Sequence, residues 1–130
     1  MWKQRKNRTE LDGETFNNVE LTKLSRYYKY LSLKKLAFIK MDVEGSEANV
    51  LEGGKELITK YHVPFIMIEY EQSFLEDHGT KVLEFLQFFE NNGYKISMND
   101  FLGKQYTSIS EIIKNKNILN LFIVYEKFLE

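Results

Sequence analysis

The sequence of 130 residues contains no cysteine. That removes disulfides, thiolate zinc sites and cysteine nucleophiles in one step. No stretch approaches the roughly 20 apolar residues of a membrane span. The opening residues Met1 to Arg8 carry the charges of a signal peptide without an apolar run behind them. The expectation is a soluble, cytoplasmic protein with no membrane span. Net charge is also lacking: 18 basic side chains face 19 acidic ones, so there is no overall field to hold a nucleic acid, and none is expected as a partner. Proline occurs once, while 43% of the residues are hydrophobic and 15% aromatic, more apolar content than a disordered chain carries. The length suits one domain or a piece of one.

The near-zero charge hides a division. Residues 1–40 hold ten Lys or Arg and four acids, net +6, and the other ninety hold eight and fifteen, net −7. Residues 1–18 are polar and turn-rich (Asn7, Asp12, Gly13, Asn17, Asn18) and read as an irregular basic segment; residues 19–130 read as the folded part. Leu21, Leu24, Tyr28 and Leu31 recur at helical spacing. Residues 36–42 are apolar on both parities, as in a strand buried on both faces. Gly45 and Ser46 then supply a turn and an N-cap for a helix whose face is Leu51, Gly54, Ile58 and Tyr61. Gly54 lies on that face, which predicts close packing of helix on sheet.

Pro64 ends the helical stretch, and Phe65-Ile66-Met67-Ile68 forms a second apolar strand closing at Glu69-Tyr70-Glu71. Strand, helix and strand in this length make a βαβ unit. A further helix through Val82, Leu86 and Phe89, with Gly93 at C′, leads to a strand over 94–98. The run 118–125 makes a fourth, parallel or antiparallel. The fold class is α/β, with a mainly parallel sheet and flanking helices.

In open α/β sheets ligands bind outside the carboxyl ends of the strands. Two consecutive strands end there in acids, Lys40-Met41-Asp42-Val43-Glu44-Gly45 and Glu69-Tyr70-Glu71. If they are neighbours, Asp42 and Glu69 lie together. Lys40 shares the parity of Asp42, so an ammonium and a carboxylate point to one face, where the pair can position a hydroxyl or tune a general base. Glu44, just before the helix, is placed to meet its amides. His62 and His78 have no partner at metal-ligand spacing. The site residues are therefore Asp42, Lys40 and Glu69, with Glu44 positioning substrate and no metal.

The run 38–54, Phe-Ile-Lys-Met-Asp-Val-Glu-Gly-Ser-Glu-Ala-Asn-Val-Leu-Glu-Gly-Gly, followed by Pro64 to Glu69 and later by Gly93-Tyr94, resembles the FkbM family of S-adenosylmethionine-dependent methyltransferases. The resemblance covers roughly residues 19–126 and is most specific in Lys-x-Asp-Val-Glu-Gly-x-Glu. It implies a Rossmann-like class I methyltransferase fold, S-adenosylmethionine as cofactor, and methyl transfer to a hydroxyl on a sugar, lipid or small metabolite. It also puts Asp42 at the end of the family's fourth strand, facing the transferred methyl.

Gly13 is the only glycine before residue 36, so the family's first three strands and the glycine-rich turn that holds the cofactor have no counterpart. The sequence reads as the carboxyl-terminal part of the domain, a truncated or split form. The strand over 36–42 would then have a naked edge, open to self-association or to a partner chain supplying the missing strands. A non-catalytic half-domain that binds a partner through that edge is the alternative. A two-metal exonuclease also places Asp-x-Glu at a strand end. That reading fails because Tyr94 is followed four residues on by Met98 and His78 five on by Leu83.

Overall fold

A computed structural model describes residues 21–101, 106–117 and 119–130, and the backbone at 10–11 and 14–15. The basic residues Lys3 to Arg8, and Ile118 at the head of the expected fourth strand, lie outside the described residues. Within the segment expected to be irregular, β1 (Glu10–Leu11) and β2 (Glu14–Thr15) pair antiparallel.

Four strands form the main sheet: β3 (Phe38–Met41), β4 (Phe65–Tyr70), β5 (Tyr94–Ser97) and β6 (Leu119–Tyr125), in the order β3-β4-β6-β5. β3 and β4 are parallel, as a βαβ unit requires, and β6 runs antiparallel between β4 and β5. β3, β4 and β5 therefore point one way, but two of the three ladders are antiparallel, so the sheet is mixed rather than mainly parallel. Among the described residues five α-helices connect the strands: α1 (Glu47–Gly53), α2 (Glu56–Thr59), α3 (Gln72–Asp77), α4 (Val82–Asn91) and α5 (Ile109–Lys114).

Strand parity sorts the sheet into two unlike faces. Met41, Ile66, Ile68, Tyr70, Leu121, Ile123, Tyr94 and Ile96 share one face and form a single core with residues of all five helices, among them Leu51, Ile58, Leu75, Phe85 and Ile112. α4 supplies the largest share because Val82, Phe85, Leu86 and Phe89 recur at helical spacing. Gly93, at φ +88, takes the left-handed position just past its end. The Tyr94 hydroxyl donates to the Val63 carbonyl at 2.9 Å, tying β5 to the entry of β4, and burial pushes its pKa upward.

The other face is open along β3 and covered toward β5 and β6, where Ser97 and Val124 are buried. Phe38, Phe65, Met67 and Phe122 sit there with Phe101 and Phe128 edge-on against them, and Phe38 is 47% exposed. The expectation that 36–42 is buried on both faces is therefore corrected. All five α-helices join one core, and β3 is the end strand of the described sheet, so Phe38 and Lys40 are exposed and only Met41 is buried.

Two helical expectations also change. The 21–31 segment is a 3-10 helix over Leu24–Tyr30 with no buried residue. The expected 47–61 helix breaks at Gly54 into α1 and α2. A Cβ at Gly54 would lie 2.8 Å from the Leu24 side chain, so the close approach is to the 3-10 segment and not to the sheet. Tyr28 fastens the same contact by donating to Glu56 Oε2 at 3.2 Å. Burial and then the Glu56 charge push its pKa up to about 12.

Candidate functional site

The register pairs Lys40 with Met67 and Met41 with Ile68. One step further, where both strands end, Asp42 and Glu69 come side by side on the open face. Their carboxyls hydrogen-bond to one another. That bond, and then the Asp42 charge, raise the Glu69 pKa above the ordinary glutamate range; Lys40 works against the shift and Glu44 adds to it. Two carboxyls in contact disfavour each other's ionisation, so Glu69 releases its proton less readily than a free glutamate does. Glu69 and Asp42 are solvent-exposed, so both carboxyls are open to an incoming group.

The structure brings all four expected site residues to one sheet edge. Lys40 is exposed and acts on Glu69 through its charge; among the described residues it makes no ion pair. Its charge needs no buried partner because the face around it is open. Glu44 stands at φ +49 and is exposed. Among the described residues it makes no hydrogen bond to the α1 amides, so the capping expected of it is not made. Ser46 makes none through its side chain either.

The turn is instead fastened by a residue that sequence reasoning passed over. Glu47 is 1% exposed, and its Oε1 accepts the Val43 amide at 3.2 Å, while Oε2 is buried without a partner. The signal was an acid in the first helical turn, which favours the helix dipole, but its reach back to residue 43 has no sequence signature. Gly45 completes the turn at φ +98. A Cβ there would meet the Phe74 carbonyl oxygen at 2.6 Å and His78 Nδ1 at 2.8 Å, so β3's exit is packed directly onto the end of α3.

Asn120 is a second residue not foreseen. It is the cross-strand partner of Glu69 on β6 and is exposed, adding an amide to the edge. Only the reversed direction of β6 places it there. Glu71 turns away to accept from Ser73 Oγ at 3.0 Å. His78 Nδ1 lies 2.8 Å from the Phe74 carbonyl, and His62 stacks on Tyr125 at the other end of the sheet. Among the described residues no group of three or more His, Asp or Glu is arranged to hold a metal ion. None of the described helices is long and apolar enough to cross a membrane.

The site thus has two adjoining carboxyls, an ammonium and a third carboxylate at the carboxyl ends of β3 and β4, with an amide from the amino end of β6. It can take a proton from a hydroxyl or hold one in place. No curated protein and no solved structure matches the chain. Residues 3–96 match the methyltransferase FkbM domain, a span that contains Lys40, Asp42, Glu44 and Glu69. With most of its length so matched, the chain belongs to the FkbM methyltransferase domain family.

Proposed function

We propose that the chain carries the acceptor side of an S-adenosylmethionine-dependent O-methyltransferase, acting on a hydroxyl of a sugar, lipid or small metabolite. The observation that carries this reading is the hydrogen-bonded Asp42–Glu69 pair at the carboxyl ends of two parallel strands. Asp42 accepts the proton that the hydroxyl loses. Glu69, whose pKa is raised by its neighbour, holds the adjoining carboxyl that hydrogen-bonds with Asp42. Lys40 lies on the same face and favours negative charge growing on the acceptor oxygen. Glu44, on the turn, contacts the acceptor beyond its reacting hydroxyl. Alignment of the hydroxyl is the main demand on such a site.

Asp42 and Glu69 are flanked by Lys40, Glu44 and Asn120, all polar and exposed. The cofactor would bring the methyl group. Its ribose and ring would take their contacts beyond these polar groups. The Rossmann-like class I fold of the whole assembly belongs to the same proposal, supported by the parallel β3–β4 unit and by family membership.

A second reading has its own observation. β3 is the end strand of the described sheet and the neighbouring face leaves Phe38 exposed, which suits a half-domain that docks a partner through that edge. Calorimetric titration of S-adenosylmethionine, with the association state followed by sedimentation, separates the two. Saturable binding at micromolar level together with self-association supports the enzyme reading. A folded chain that binds no cofactor overturns autonomous methyl transfer and leaves the docking role.

A further inference from the structure

A second site lies at the opposite end of the sheet. A cleft of about 470 Å³ opens where β3 and β4 begin and β6 ends, in the size range of small-molecule pockets. Pro64, at its wall, is five residues from Glu69, which is about 17 Å along an extended strand, so the cleft is separate from the carboxyl pair.

Its chemistry is the reverse of that pair's. Lys34, Lys35 and Lys127 line the cleft and no acid does. Glu126, next in sequence, lies 4.0 Å from Lys95 instead. Lys60 adds a nearby cation, held over the Tyr61 ring at 5.3 Å. The walls are aromatic. The His62 imidazole stacks on Tyr125 with centroids 4.4 Å apart and planes 6° from parallel, and Tyr61 and Phe128 face the same space. His62 is fixed at φ +49, a left-handed conformation uncommon outside glycine. Its Nδ1 is buried without a partner, which leaves Nε2 to do the ring's hydrogen bonding.

We propose that this cleft binds a small phosphorylated ligand carrying a planar ring, of the nucleotide class. The three ammonium groups take the phosphates as point charges, and the ring lies against the flat aromatic wall. The charge asymmetry of the sequence has a local meaning here: Lys34 and Lys35 belong to the basic first forty residues, and the fold sets them beside Lys127 from the other end of the chain.

The two histidines make the test direct, because they are the only ones in the chain and stand at opposite ends of the sheet. Proton NMR of the imidazoles during titration with adenosine diphosphate reads both ends at once. His62 should shift saturably and His78 should not. Adenosine should move His62 at least tenfold less at equal concentration, and raising the salt should weaken the diphosphate. The Lys34→Gln, Lys35→Gln, Lys127→Gln triple variant changes exposed side chains only and should keep the wild-type spectrum while losing at least tenfold in affinity. The proposal is overturned by no His62 shift at millimolar ligand, by movement of His78 instead, by adenosine acting as well as the diphosphate, or by undiminished binding in the triple variant.

Discussion

Glu47→Ala should loosen the turn that carries Asp42. The side chain is 1% exposed and accepts the Val43 amide at 3.2 Å. Losing this part-buried bond from an amide to a carboxyl costs about 1–3 kcal/mol, and the lost methylene about 0.8 kcal/mol more. Side-chain entropy released on truncation offsets roughly 1–1.5 kcal/mol. The net expectation is a loss of about 2 kcal/mol. For 130 residues, at about 2.1 cal/mol/K per residue, that lowers the melting temperature by roughly 7 °C. Glu47→Gln keeps an acceptor for Val43 and removes an acid whose second oxygen has no partner, so it should melt within about 2 °C of the wild type by the same conversion. Scanning calorimetry at pH 7 reads both. The Glu69 pKa, followed by carboxyl NMR, should fall toward the ordinary range in the alanine variant alone. An alanine variant as stable as the wild type, or a glutamine variant as damaged as the alanine one, refutes the fastening role.

The Asp42–Glu69 pair predicts a pH-dependent difference. Because the folded-state pKa of Glu69 is raised, the stability it contributes is present below the ordinary glutamate range and lost as pH rises through the raised value. Asp42→Asn removes the charge behind the shift, so its melting temperature relative to the wild type should rise across that window and then level; a difference that is flat with pH defeats the assignment. Gly45→Ala must hold a side chain at φ +98 against the Phe74 backbone, and should cost at least about 2 kcal/mol in urea unfolding; a neutral result means that the turn is looser than described. Tyr94→Phe leaves the Val63 carbonyl without its 2.9 Å donor and should cost about 1–3 kcal/mol, with an unchanged urea midpoint as the contrary outcome.

The strands were legible because each is a short apolar run bounded by polar residues. α4 was legible because its length allows a helical period to show. α3, over Gln72–Asp77, offers only Phe74 and Leu75 as apolar residues, too few for any period, and was passed over. The Asp12-Gly13 dipeptide is a hairpin signal, yet without apolar alternation on either side the flanking residues read as irregular. For 36–42 the apolar run was correct and the inference of double burial was not. A residue's polarity does not say whether a second layer will cover it, and here the five described α-helices all join the core of one face. At the site, Asp42 and Glu69 could be paired from sequence because parallel neighbours end in register. Asn120 could not, since its position depends on the direction of β6. Glu47 depended on a turn conformation, with Glu44 and Gly45 both at positive φ, that no spacing encodes.

The carboxyl site is built by a short piece of chain. β3, the Gly45 turn, α1 and β4 all lie within residues 38–70, and the register of one parallel ladder fixes the Asp42–Glu69 contact. Such a site stays in place whether or not the sheet continues beyond β3. Substrate enclosure does not share that independence, because the exposed Phe38 ring and the outer edge of β3 are the apolar and polar parts of one open surface. A strand added along β3 would satisfy the backbone groups of that edge and bring its own side chains beside Lys40 and Asp42. It would also dry the carboxyl pair, and lower dielectric strengthens the repulsion that raises the Glu69 pKa. Covering that edge and tuning the base are therefore one event, and any partner that completes the sheet should push the Glu69 pKa further upward.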